Sequence, residues 1–211
     1  MKILVTAGPT REPIDPVRYL SNRSSGKMGY ALAGAAAHEG HQILLISGPT
    51  SLDIPAGVDF LPVETGLEMF EAVQRHIGRM DAAIFAAAVA DYRPAHPATG
   101  KIKKSSAPLS LDLVPNPDIL GSCRSVFGFT GTLVGFAAET SDVLDHARGK
   151  LIAKGCDLLV ANDVSRPGIG FESDRNEVHL VFPDRIETLP EDDKTSLALE
   201  IIHQVEKLHA H

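Results

Sequence analysis

Phosphate chemistry is written most densely between positions 22 and 29, where the chain reads Asn22-Arg23-Ser24-Ser25-Gly26-Lys27-Met28-Gly29. At a helix start, the free backbone N–H groups, the two hydroxyls and the local positive charge of this segment suit a phosphate. A merely well-capped helix would use the same serines. Just upstream, Asp15-Pro16-Val17-Arg18 supplies an arginine able to hold a phosphate or carboxylate bidentately, or to close an ion pair with Asp15 or Glu12. Two further groups of cations follow: the run Lys101, Lys103, Lys104, and the pair Lys150 and Lys154, four apart and so on one helix face. Each suits a polyphosphate and equally an ordinary solvated surface.

The spacing excludes the commoner nucleotide loops. Gly8, Gly26 and Gly29 do not form G-x-G-x-x-G, and the second long strand ends in Ser47-Gly48-Pro49, with no acid to hold an adenosine ribose. Hydride transfer by a Tyr with a Lys four residues on fails too, because the residues four after Tyr19, Tyr30 and Tyr92 are Arg23, Gly34 and His96. A P-loop would need Gly five residues before Gly26 and Ser or Thr after Lys27; the chain has Ser21 and Met28. The nine histidines form no H-E-x-x-H and no Cys/His cluster, so structural zinc is not expected.

Composition narrows the partners. A net charge of -7, from 20 basic and 27 acidic residues, argues against a nucleic-acid-binding surface, so an anionic ligand must be met by a local site such as Arg11, Arg18, Arg23, Lys27 and Lys101. No apolar run approaches the ~20 residues of a bilayer span, and no membrane role is expected. Two cysteines, Cys123 and Cys156, make no multi-bridge framework and read as buried small hydrophobes of a cytoplasmic protein with reduced thiols.

The elements that must position these residues alternate. A buried strand at Ile3–Thr6 feeds a loop of about twenty residues, long enough to be functional, and a helix runs from near Gly26 to the Glu39-Gly40 stop. Strands are expected at Gln42–Ile46, Asp59–Val63, Ala82–Ala86, Leu109–Leu113, Leu133–Phe136 and Asp157–Val160. Helices are expected at Gly66–Ile77, after Asn116-Pro117-Asp118, and at Ser141–Lys154. A hairpin at Val178–Thr188 and a helix at Glu191–Leu208 close the chain. The alternation predicts an α/β, Rossmann-like three-layer fold with a mostly parallel central sheet, one domain over 1–211, a flap at about 91–108, and ligands at the carboxyl ends of the strands.

The residues carry a specific resemblance. Thr6-Ala7-Gly8-Pro9-Thr10-Arg11-Glu12-Pro13-Ile14-Asp15-Pro16-Val17-Arg18, together with Ser21 to Gly29, resembles the phosphopantothenate-cysteine ligase family of coenzyme A biosynthesis. The later blocks Ala86 to Tyr92, Lys101 to Lys104, Asn116 to Leu120, Gly135 to Thr140 and Ala161 to Val164 agree in order and spacing. So does Gly170 to Asn176, for which no role can be derived.

The resemblance implies a ligase that activates 4'-phosphopantothenate with CTP as an acyl-cytidylate, releases pyrophosphate, and lets the L-cysteine amine displace CMP. It implies Mg²⁺ with metal ligands unassigned and a homodimer, for which the hairpin and the exposed sheet edge are the expected contact surfaces; many bacterial members carry a flavin-dependent decarboxylase ahead of this domain, but here Met1 lies immediately before the first strand, so no FMN is expected. Asn22 would orient the acyl intermediate and Lys101, on the flap, would serve activation. Arg18, Asn22, Ala87 and Ala88 would surround the pantothenate moiety. Nucleotide contacts would fall on Gly8, Ser24, Ser25, Gly26, Asp91, Lys101, Asn116, Pro117, Asp118, Ile119, Phe136, Lys150 and Lys154. Two alternatives stay open: the same reaction with ATP, and a non-catalytic nucleotide sensor on this scaffold.

Overall fold

The computed structural model describes residues 1–106, 108–139, 142–163, 173 and 175–210. In chain order the strands are Lys2–Ala7 (β1), Glu12–Pro13 (β2), Tyr19–Leu20 (β3), Gln42–Ser47 (β4), Val58–Pro62 (β5), Ala82–Phe85 (β6), Tyr92–Pro94 (β7), Leu113–Pro115 (β8), Thr132–Glu139 (β9), Leu158–Asp163 (β10), Arg175–Val181 (β11) and Ile186–Asp193 (β12). The helices are Lys27–His38 (α1), Gly66–His76 (α2), Ile119–Ser125 (α3), Val143–Lys154 (α4) and Lys194–His209 (α5).

Eight strands form one sheet in the order β12-β11-β10-β9-β6-β1-β4-β5. The six from β10 to β5 are parallel, and β11 and β12 add an antiparallel edge. Continuous aliphatic runs such as Ile3-Leu4-Val5 are buried on both faces, as a parallel sheet with helices on each side requires. One core contains Ile3, Val5, Leu32, Leu45 and Ile201, beneath α1 and α5. The other contains Leu4, Ile46, Met69, Cys123 and Leu151, beneath α2, α3 and α4. The expected three-layer α/β fold is therefore the observed one.

Chain direction fixes where the sheet opens. From β1 the chain steps outward to β4 and β5, then returns to β6 on the other side of β1 and proceeds through β9 and β10. The loops after β1 and β6 consequently diverge at a topological switch point, the crevice where α/β sheets bind ligands. Gly29 lets α1 lie directly on β1 here: a Cβ on Gly29 would stand 2.5 Å from the Ala7 Cβ.

Three expectations are corrected. The strand expected at Leu109–Leu113 is not a strand of the main sheet; pairing begins at Leu113, and β8 pairs only with β7 in a separate ribbon. The alternation Leu109-Ser110-Leu111-Asp112-Leu113 has no core to face, and all three leucines are exposed. The long first loop holds a second small ribbon, β2 with β3. Strand β12 also runs further than the hairpin expected from sequence, so that α5 starts at Lys194, capped by the Asp193 carboxylate on the N–H groups of Thr195 and Ser196. Ser141, the expected start of α4, lies outside the described residues, as do Val164 to Glu172 and Asp174. No helix among the described residues is long and apolar enough to cross a membrane.

Candidate functional site

The loops after β1 and β6 continue pairing beyond the sheet. Ala88 N–H donates to the Gly8 carbonyl at 2.9 Å, Thr10 N–H donates to the Ala88 carbonyl at 3.2 Å, and Ala90 N–H donates to Thr10 Oγ1 at 3.0 Å. This rigid crossing separates two hollows. The first, about 370 Å³, is lined by Asp91, Asn116, Pro117, Asp118, Ile119, Phe136, Lys150 and Lys154 among others. The second, about 210 Å³, is lined by Ser24, Ser25, Gly26, Lys27, Lys150, Asn162, Asn176 and Lys194, with Ala87, Ala88 and Phe136. Ala87, Val89, Phe136 and Lys150 line both, so the two hollows adjoin.

The first hollow is built by hydrogen bonds that fix a turn. Asn116 N–H donates to the Asp91 carbonyl and its Nδ2 to the Ala90 carbonyl, both at 2.8 Å, while Arg93 Nη1 donates to Asn116 Oδ1 at 3.2 Å. Asp118 then caps α3 through Gly121 N–H at 2.9 Å and pairs with Lys154. Burial raises the Asp118 pKa, but Lys154, the Gly121 N–H and Lys150 outweigh it and hold the carboxyl below its ordinary value. Lys150 Nζ donates to the Phe136 carbonyl at 3.0 Å, which uses one of its three N–H donors.

The second hollow faces the start of α1. That helix begins after Gly26 at φ 79°, a conformation that suits glycine, and its N-cap makes no side-chain hydrogen bond to the helix. By contrast, α2 starts with a complete capping box between Thr65 and Glu68. The residues lining the second hollow include three lysines and two asparagines and, among the described residues, no carboxylate. Such a lining favours an anion.

The family model for the DNA/pantothenate metabolism flavoprotein C-terminal domain matches residues 1–208. This chain belongs to that family. It is 48% identical over 211 residues to the coenzyme A biosynthesis bifunctional protein CoaBC of Vibrio vulnificus strain YJ016, covering 99% of this chain and 53% of that protein. It is 46% identical over 208 residues to the CoaBC of Escherichia coli strain K12, covering 97% and 51%. The chain thus spans about half the length of these curated relatives. A crystal structure of the C-terminal domain of CoaBC matches with a TM-score of 0.84 at 39% identity, covering 98% of this chain and 94% of that one.

Of the family positions named from sequence, Asp91, Asn116 to Ile119, Phe136, Lys150 and Lys154 gather around the first hollow, and Ser24, Ser25, Gly26, Ala87 and Ala88 around the second. Phe136, which periodicity alone assigns to the core, is half-buried between them. Gly8 lines neither; its φ of 72° and a Cβ that would stand 2.8 Å from the Gly48 carbonyl oxygen make it a shaping residue beneath the loop crossing. Asn22 lines neither hollow but is tied to two lining residues of the second, Nδ2 donating to the Ala88 carbonyl and Oδ1 accepting from Ser24 N–H at 3.1 Å. Arg18 and Lys101 line neither hollow. Arg18 makes the ion pair with Asp15 that the sequence left open, and also reaches the flap beside Lys101. Sequence reasoning gave no role to Asn162, Asn176 or Lys194, all buried in the wall of the second hollow. Lys194 follows Glu191-Asp192-Asp193 and reads as solvated surface until the start of α5 is placed.

Proposed function

We propose that this chain joins 4'-phosphopantothenate to L-cysteine in two steps. First, a carboxylate oxygen of phosphopantothenate attacks the α-phosphorus of CTP, forming an acyl-cytidylate as pyrophosphate leaves. Then the cysteine amine attacks the acyl carbon, CMP departs and the amine gives up its proton, leaving 4'-phosphopantothenoyl-cysteine. The observation that carries this reading is the adjacency of a nucleotide-sized hollow and a cationic hollow at the switch point, with Asn22 hydrogen-bonded to the wall of the second.

In this reading the first hollow takes the nucleotide. The fixed turn of Asn116 to Ile119 offers backbone groups to the base, Phe136 offers a ring, and Lys150 and Lys154 face the phosphates. The second hollow takes a phosphoryl group against the start of α1. Ala87 and Ala88, small and held by the loop crossing, leave room for the acyl group at the junction. Asn22 Nδ2 carries two N–H donors, and one is committed to Ala88, so the second can meet the developing oxyanion during cysteine attack. Lys101 supplies a cation from the flap during activation.

Mg²⁺ bound to the triphosphate would neutralise charge on the leaving pyrophosphate. Among the described residues no group of three His, Cys, Asp or Glu side chains forms a cage for it. Asp91, exposed on the wall of the first hollow, would meet an ion arriving on the phosphates. A homodimer completes the proposal, with cytoplasmic thiols and substrates.

The deciding experiment measures pyrophosphate release with Mg²⁺, 4'-phosphopantothenate and either CTP or ATP, with and without cysteine, with mass detection of products. Phosphopantothenoyl-cysteine plus CMP, with little turnover of ATP, is the expected result. Turnover with ATP alone would keep the ligase and overturn the nucleotide. Folded protein that binds nucleotide and turns over neither would point to a sensor.

A further inference from the structure

The flap is tied to the first loop at Ala98, whose N–H donates to the Ile14 carbonyl at 2.9 Å, and again at Ile102, beside the lysines. Ile102 N–H donates to Asp15 Oδ2 at 3.0 Å, and the Ile102 carbonyl accepts from Arg18 Nη2 at 2.9 Å. Both backbone groups of one flap residue are therefore held by an acid–arginine pair on the first loop. Ile102 sits between Lys101 and Lys103, so whatever fixes it fixes where both lysine side chains originate.

The two oxygens of Asp15 divide the work. Oδ1 accepts from Val17 N–H at 2.9 Å and Arg18 N–H at 2.8 Å, which closes the local turn. Oδ2 accepts from the Arg18 guanidinium, through Nε at 3.1 Å and through Nη2, and from Ile102. Asp15 is only 3% exposed although its sequence neighbours Pro16, Val17 and Arg18 lie at the surface. The turn needs one oxygen alone; the second serves the arginine and the flap.

We propose that Asp15 is a positioning residue for activation: its Oδ2, with Arg18, latches the flap at Ile102 and so fixes where the Lys101 side chain starts. The proposal rests on the role given to Lys101 above. It adds that a buried carboxylate outside both hollows sets the rate of pyrophosphate release through the flap backbone.

The test uses Asp15→Asn, which keeps an oxygen for the Val17 and Arg18 N–H groups but turns the flap-facing oxygen into an amide that cannot accept from Ile102. Ile102→Pro removes the flap donor while leaving the Asp15–Arg18 pair intact. Limited trypsin digestion at Lys103 and Lys104 reads the latch without any assay of activity. Both variants should be nicked about tenfold faster than the parent, the scale of losing one charge-assisted hydrogen bond. Both should lower the rate of pyrophosphate release by a similar factor while the affinity for CMP stays within twofold. In a Lys101→Gln background, Asp15→Asn should cause no further loss. Unchanged nicking overturns the latch. Faster nicking with normal pyrophosphate release, in a protein that Lys101→Gln disables, overturns the positioning role. Full activity of Lys101→Gln alone instead removes the reading of Lys101 on which the proposal stands.

Discussion

At the scale of single residues, the site separates groups that shape it from groups that meet ligand. Asn22 shapes it, its oxygen holding Ser24 N–H and its nitrogen the Ala88 carbonyl, and in the proposed mechanism it also meets the acyl group. Asn22→Ala removes the donor proposed to meet the acyl oxyanion, and loss of such a donor costs on the order of 10²–10³ in rate. The cysteine step should therefore slow about a hundredfold, while activation changes by about threefold or less. Acyl-cytidylate would then accumulate, visible by mass spectrometry of quenched reactions; equal losses in both steps would reduce Asn22 to a loop support. The two cysteines mark the opposite case. Cys123 and Cys156 are buried among apolar groups, and burial pushes both thiols up to about 12. The reactive thiolate is scarce at pH 8. Iodoacetamide should label native protein far more slowly than protein unfolded in urea, and rapid labelling of the native chain would show that this core opens.

At the scale of elements, α1 and β1 form the joint on which the second hollow depends. Gly29→Ala would place a Cβ 2.5 Å from the Ala7 Cβ and 3.0 Å from the Ala7 Cα, so the helix must move away. Overpacking of this kind costs about 1–3 kcal/mol. A lower urea midpoint at unchanged slope is expected, together with weaker phosphopantothenate binding, because the start of α1 moves with the helix. An unchanged midpoint would mean that the helix accommodates the methyl freely. These long elements were legible because burial on both faces writes continuous aliphatic strands, and the Glu39-Gly40 stop writes a helix end. The short ribbons were not. Two-residue strands such as Glu12–Pro13 carry no period, and Leu109 to Leu113 carries a strand period with no core to satisfy it. Around the site, the motif residues were legible from their types, but Asn162, Asn176 and Lys194 come from β10, β11 and α5, and only the fold brings them to one wall. Whether Arg18 serves a ligand or an ion pair was likewise undecidable in one dimension, because its flap partner lies 84 positions away.

At the scale of the whole molecule, the surface indicates where a second copy would bind. The hairpin named from sequence ends in β12, one of the two edges of the sheet, whose exposed positions include Glu191, Asp192 and Asp193 and which carries Pro190. Like charge and proline blunt an edge strand against pairing with its own copy. The exposed large apolar side chains instead concentrate on and beside the two ribbons, at Val17, Tyr19, Tyr92, Leu109, Leu111 and Leu113. β2 lies against β7, so the ribbons adjoin. An apolar surface of this kind marks an interaction site, and in a closed twofold pair the same patch meets itself. The proposed homodimer is therefore expected to close through the ribbons, which would set each flap close to the partner. Replacing Tyr92 and Leu113 together by Asp should weaken association about a hundredfold or more, the loss typical of removing interface anchors. Sedimentation would then show a monomer with unchanged circular dichroism at concentrations where the parent is dimeric. Thr188→Lys, on β12, should leave the dimer intact. A dimer that survives the ribbon variant but dissociates with Thr188→Lys would return the interface to the sheet edge.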